Sequence, residues 1–357
     1  MTQRPGRYAP TPEPVVVRLR DVGEIAAGLP HLMGFHPRES VVLITLGGES
    51  GRRVGMTARA DIPLPEHDRS LARMLARNVS TAGPEGALVL IVSEAADETA
   101  GGRPLLPHAH LVRETCRALE RSGIPIADTV LVRDGRWWSY DCADPCCAPD
   151  RGTLLPGGVS ELEVASVATG TVVAGDRAGL AARIAPPPGH DARAMAAACA
   201  RVGVALSADV VDTGSEPAAA ESWVAVMGGI ARCRPGAGGG PLSDEDVARI
   251  VWGLRDGAVR DLALELALGD ESAAVEQLWT ECTRRAPAPL DAAPATLLAV
   301  CAWLRGDGAM ANIALDRALS SAPGYGLAGL LRDALDRCVT PADLRSLLTA
   351  AAGPPAG

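Results

Sequence analysis

The sequence predicts an α/β fold class: a mixed sheet layered with helices in the N-terminal half, and an all-α helical bundle in the C-terminal half. Three observations carry this. Short β-branched apolar runs recur at Val41–Leu46, Ala87–Val92 and Asp128–Val132. They alternate with segments of 3.6-residue period, the pattern of helices layered on a partly parallel sheet. From Ser160 onward such runs stop and amphipathic helical patterns take over. With 357 residues the chain exceeds what one core usually serves, so two domains are expected.

Residues 1–14 read as a flexible polar arm. Val15–Leu19 reads as a short strand and Asp21–Leu29 as one or two helical turns. Gly34–Ser40 is a turn leading into Val41–Leu46, whose unbroken apolar character predicts a strand buried on both faces. Gly47–Gly48 and Ser50–Gly51 turn the chain into a second strand, Val54–Ile62. His67–Asn78 is helical, with Leu71, Met74 and Leu75 on one stripe. Ala87–Val92 is a strand, Leu111–Arg121 a helix and Asp128–Val132 a strand. Asp134–Gly135 then forms a hairpin turn into Arg136–Tyr140, an antiparallel edge. The α/β domain is expected over 15–185, with Pro186–Gly189 breaking the chain.

The helical domain is expected over 190–352, with a glycine-rich connector at 236–241 and a tail at 353–357. Ser243 is an N-cap with Asp246 three residues on, and Val247, Ile250, Val251 and Leu254 form the buried stripe. Helices at 257–267 and 271–285 end before Pro287 and Pro289. Leu297–Arg305 and Ala309–Ser321, joined by Gly306–Gly308, form a helical hairpin. Its Ala311, Leu315 and Ala318 face resembles a tetratricopeptide unit. A solenoid needs about three such units, so a hairpin inside a bundle is the plainer reading and a peptide groove the alternative. Tyr325–Leu335 is a further helix. Thr340 caps a last one, with Pro341 at its first position.

All 34 basic residues are arginine. Without lysine there is no Schiff-base or P-loop lysine, which excludes pyridoxal-phosphate enzymes, Walker-type hydrolases and ordinary protein kinases. A net charge of −9 argues against general nucleic-acid binding. No apolar run reaches the ~18 residues that span a bilayer, and the first residues lack a secretory pattern, so a cytoplasmic protein away from membranes is expected. Nine cysteines in a chain this long are no disulfide framework. Cys116, Cys199, Cys233, Cys282, Cys301 and Cys338 stand singly and read as small buried hydrophobes.

Two segments carry candidate chemistry. Trp137–Cys147 holds Trp138, Tyr140, Cys142, Cys146 and Cys147. The three thiols are candidate zinc ligands. Against this, the spacing is C-x3-C-C, no histidine follows closely, and adjacent side chains diverge on regular backbone. A redox pair is one alternative, and a structural turn is the plainest. In Gly34–Ser40, His36, Arg38 and Ser40 are candidate anion contacts, since turns beside strand ends hold ligands in α/β folds. The plainer reading has Pro37 fixing the turn and Phe35 plugging the core. Trp138 and Tyr140 are the candidate ligand contacts from the second segment. His108 and His110, two residues apart near a helix start, point in different directions and make a poor metal pair.

Three ordered motifs resemble the domain-of-unknown-function family 4192 of high-GC bacteria. They are Leu29–Leu43 around Gly34-Phe35-His36-Pro37-Arg38-Glu39-Ser40, Asp134–Pro149 with its Trp-Trp-Ser-Tyr and Cys-x3-Cys-Cys, and Ala302–Ala328. Met33 departs from the leucine usual at its position. The resemblance implies this architecture and no particular activity, substrate or cofactor. Lacking a complete catalytic set, the chain is expected to be a non-catalytic ligand- or protein-binding adaptor, with a protein partner on its helical half. The alternative is an enzyme with a cleft near Gly34–Ser40 and Trp137–Cys147, which requires both segments to face one cleft.

Overall fold

A computed structural model describes residues 21–48, 53–81, 83–100, 102–158, 160–168, 173–213, 215–237 and 240–352. The strand expected at Val15–Leu19, the arm and the tail lie outside the described residues, as does part of the connector at 236–241. Contacts divide the chain into one unit running to Arg177 and a second from Ala178 onward, apart from the short segment Asp336–Cys338.

The first unit opens with helix α1 (Val22–Met33), capped by Asp21, whose carboxylate accepts from Glu24 N at 2.9 Å. It continues through β1 (Ser40–Gly47), β2 (Arg53–Asp61), α2 (Asp68–Ser80) and β3 (Gly86–Val92). A small hairpin of β4 (Glu98–Ala100) and β5 (Arg103–Leu105) follows, then α3 (Ala109–Arg121), β6 (Ile126–Arg133), β7 (Arg136–Ser139) and β8 (Thr153–Leu154). Helix α4 (Glu161–Ala168) packs on α1. The elements expected within the described residues of this unit are present. The β4–β5 hairpin was not legible, because three-residue strands carry too little periodicity.

The sheet order is β2-β1-β3-β6-β7-β8. Only β3 and β6 are parallel, joined by the crossover through α3; every other pair is antiparallel. Val41–Ile44 and Ala87–Ile91 are at most 2% exposed, so both faces of β1 and β3 are covered as their unbroken apolar runs require. Alternation sends Val41, Leu43, Val89, Ile91 and Leu131 towards Leu75 and Val79 of α2 and Leu111 and Leu119 of α3.

The elements of the second unit among its described residues are helices: α5 (Arg177–Ala182), α6 (His190–Thr213), α7 (Ser215–Cys233), α8 (Asp244–Gly253), α9 (Gly257–Glu265), α10 (Ser272–Arg285), α11 (Ala292–Leu304), α12 (Gly308–Ser321), α13 (Gly326–Asp336) and α14 (Pro341–Ala352). The expected Ser243–Asp246 box is formed reciprocally: Asp246 N donates to Ser243 Oγ at 3.2 Å and Ser243 N to the Asp246 carboxylate at 2.9 Å. Helices α6 and α8 meet where Gly203 leaves room for the Trp252 indole, whose Nε1 donates to Cys199 O at 2.7 Å. Helix α11 begins at Ala292 rather than Leu297, since Pro294 sits in its first turn, where a missing N–H is harmless. Every residue from Ala292 to Trp303 is buried, as in the central helix of a bundle. At its head, the buried Asp291 carboxylate pairs with Arg317 Nε at 2.7 Å and accepts from Ser321 Oγ.

Candidate functional site

One edge of the sheet gathers residues from four strands. The pairing places Ser40 opposite Val92, Val92 opposite Val132 and Val132 opposite Trp137. The start of β1, the ends of β3 and β6 and the start of β7 therefore lie in one row. This is the carboxyl end of the one parallel pair, where open α/β sheets hold ligands.

Ser93, the first residue after β3, is 1% exposed. Its hydroxyl donates to Glu39 Oε2 at 2.7 Å and lies 3.0 Å from His108 Nε2. Ala95 N donates to the Ser93 hydroxyl oxygen at 3.1 Å. With the serine proton committed to a carboxylate, His108 must donate through Nε2. The three groups thus form a relay, imidazole to hydroxyl to carboxylate. Ser93 and Glu39 orient the imidazole.

The row continues through the backbone. Glu94 N donates to Glu39 Oε1 at 2.9 Å and Asp134 N to Glu94 Oε1 at 3.3 Å. His108 N donates to Glu98 Oε1 at 2.8 Å, which ties the head of α3 to the β4–β5 hairpin. Glu39, His108 and Asp134 have φ of 40°, 60° and 52°, three of four non-glycine residues with positive φ among those described. Such conformations cost about 1–3 kcal/mol each and persist where surrounding contacts over-determine them, often at functional sites.

At the β6–β7 end the row gathers three arginines, with the carboxylates of Asp134 and Asp150 among them. Arg133 donates to Ala95 O at 2.9 Å and Asp97 at 2.8 Å, with its guanidinium 4.9 Å from the centre of the Trp138 ring. Arg136 donates to the carbonyls of Arg151 and Gly152, both at 3.1 Å. Arg133, Asp134, Arg136, Trp138, Asp150, Arg151 and Gly152 line an open cleft of about 480 Å³. Gly152 has φ of +65°, and a Cβ there would stand 2.4 Å from the Trp138 ring, so the cleft wall closes only with glycine.

Of the sequence-predicted contacts, Trp138 lines this cleft. It is 3% exposed, and its Nε1 donates to Ala148 O at 3.1 Å. Tyr140 donates to Pro107 O at 2.7 Å, next to His108, and burial together with the Glu98 charge pushes its phenol above the ordinary range. Ser40 is buried, donating to Arg38 O at 2.6 Å and accepting from Arg59 Nε at 2.8 Å. His36 and Arg38 are exposed on the turn before β1. Gly34–Ser40 and Trp137 thus share one edge but lie three strand spacings apart, ~14 Å, with the Ser93 and Arg133 groups between them. His110 is separate from His108, its Nδ1 lying 2.7 Å from Asp68 Oδ2.

Cys142, Cys146 and Cys147 come together below this row. The 3-10 turn Pro145–Cys147 overcomes the divergence expected of adjacent residues: the Cys146 and Cys147 sulfurs are 3.9 Å apart, and all three lie within 4.8 Å of one another. Cys147 is buried, and desolvation pushes its thiol up to about 11.

Residues missed by sequence reasoning are Glu39, Ser93, His108 as a relay member, Arg133, Arg136 and Arg151. Ser93 carried a signal, a polar residue directly after a doubly buried strand. Its partners come from 54 and 15 residues away, which no local pattern reports.

A family model described as a domain of unknown function, DUF4192, matches residues 23–342. The chain belongs to this family. No curated protein and no solved structure matches it. The match spans both units and all three motifs, including the Gly34–Ser40 turn and the cysteine segment. No helix among the described residues is long and apolar enough to cross a membrane.

Proposed function

We propose that this member of DUF4192 is a ligand-binding protein whose α/β unit takes a small carboxylate- or phosphate-bearing anion at the strand-end row. The observation that carries the reading is the cleft lined by Trp138, Arg133, Arg136 and the exposed Arg151, where three guanidinium groups outnumber the carboxylates of Asp134 and Asp150. Guanidinium groups match such anions with paired donors, and the aromatic wall beneath Arg133 stiffens the donor set. Titration calorimetry with phosphate, citrate and a nucleotide, against an amine of similar size, tests it. An anion should bind, and Arg151→Ala and Arg136→Ala should each weaken it about tenfold or more. Binding by none of the anions, or affinity unchanged from the parent in both variants, refutes the reading.

The helical unit supports a partner-docking role as the second half of an adaptor. Val204 and Val211, one heptad apart on α6, are 74% and 84% exposed. The tetratricopeptide-like reading of α11 and α12 adds little to this, since α11 presents no open face.

A second reading, an enzyme using the row for acid–base work, is favoured by the orientation of His108 through Ser93 by Glu39. Conversion of the bound anion that stops in Glu39→Gln and His108→Gln, while binding survives, supports it. An anion recovered unchanged after prolonged incubation counts against it.

A further inference from the structure

We infer that Cys142, Cys146 and Cys147 form a zinc site that closes the loop after β7 and thereby fixes the start of the wall of the arginine cleft. Three thiolates are a soft donor set suited to zinc. A tetrahedral zinc with ~2.3 Å bonds to sulfur has sulfur–sulfur edges of ~3.8 Å. The Cys146–Cys147 separation of 3.9 Å already matches that edge, and a 4.8 Å limit for the remaining pairs needs a closure of at most about 1 Å. Among the described residues no fourth His, Cys, Asp or Glu joins the group, so the last position falls to water or an exogenous donor.

The surroundings fit a metal-bound thiolate. Ser139 N, on β7, donates to Cys147 Sγ at 3.3 Å. Outer-shell donors of this kind orient a ligating sulfur and spread its charge. Binding releases each coordinating thiol's proton to solvent and leaves a centre of net charge −1, three thiolates against Zn²⁺. A disulfide between Cys146 and Cys147 would use only two of the three sulfurs and leave Cys142 without a role.

The mechanical consequence follows from connectivity. Directly after Cys147, Ala148 O accepts from Trp138 Nε1, and Asp150, Arg151 and Gly152 form one side of the cleft. A metal joining Cys142 to Cys146 and Cys147 closes the short loop 142–147 and so fixes the point from which this wall starts. The zinc site itself stands whether or not the cleft binds an anion.

The full chain, purified under reducing conditions without a metal-affinity tag, decides the matter by elemental analysis and thiol labelling. One zinc per chain is expected, with Cys142, Cys146 and Cys147 protected from a thiol reagent until a chelator is added. Cobalt substitution should give sulfur-to-metal charge-transfer bands. Cys146→Ser, at the exposed position, and Cys142→Ser should each lose both zinc and bands, whereas Cys338→Ser should keep them. Amide exchange at Arg151 and Gly152 should quicken on chelation. Zinc well below one per chain after dialysis against zinc, free labelling of Cys146 without chelator, or a Cys146–Cys147 disulfide in the reduced preparation overturns the inference.

Discussion

Ser93→Ala tests the centre of the strand-end row. Alanine keeps the Cβ and removes only the hydroxyl, so packing around the buried position is unchanged. The variant loses the 2.7 Å hydrogen bond to the Glu39 carboxylate, of a kind worth ~1.5–3 kcal/mol. Glu39 is exposed, and water restores part of this, leaving about 1–2 kcal/mol. Ala95 N loses its acceptor in a part-buried loop, about 1 kcal/mol more. The net destabilisation is about 2–3 kcal/mol. Because the two units need not unfold together, the readout is native-state hydrogen exchange of β1 and β3 amides rather than a global melt. A double-mutant cycle with Glu39→Ala isolates the pair, and a coupling above about 0.5 kcal/mol is expected. Exchange unchanged in Ser93→Ala, together with additivity within about 0.3 kcal/mol, would refute the relay as a structural unit.

Two further predictions concern other parts of the chain. Gly152→Ala combines a positive φ with a Cβ 2.4 Å from the Trp138 ring, so urea unfolding followed at the α/β unit should show a loss of about 2–5 kcal/mol; Trp138→Phe in the same chain should relieve part of it. Asp246 is held well below the ordinary carboxylate range by the Arg232 guanidinium, with the Ser243 hydroxyl and N–H adding to it. A depressed folded value stabilises above the unfolded pKa of ~3.9 and is lost as pH falls below it. Asp246→Asn should therefore be less stable than the parent at pH ~7, with the gap narrowing towards pH ~3, and a gap independent of pH would show that the Arg232 pairing contributes nothing.

Both halves of the architecture were legible because hydrophobic periodicity is local and reports the burial of faces. Val41–Leu46 and Ala87–Val92 had to be strands covered on both sides, and Ser243–Asp246 had to open a helix, whatever their neighbours. The cysteine cluster was visible for the same reason, since its members lie within six residues of one another. What the sequence could not convey was that a tight turn at Pro145 aims adjacent sulfurs at one point. Nor could it show that the β1–β3 pairing and the β3–α3–β6 crossover together bring Glu39, Ser93, His108 and Arg133 to a single sheet edge. Those residues are far apart in the chain and ordinary in their own surroundings. Only strand order and register make them neighbours, because pairing Ser40 with Val92 and Val92 with Val132 sets which polar residues stand at the same level.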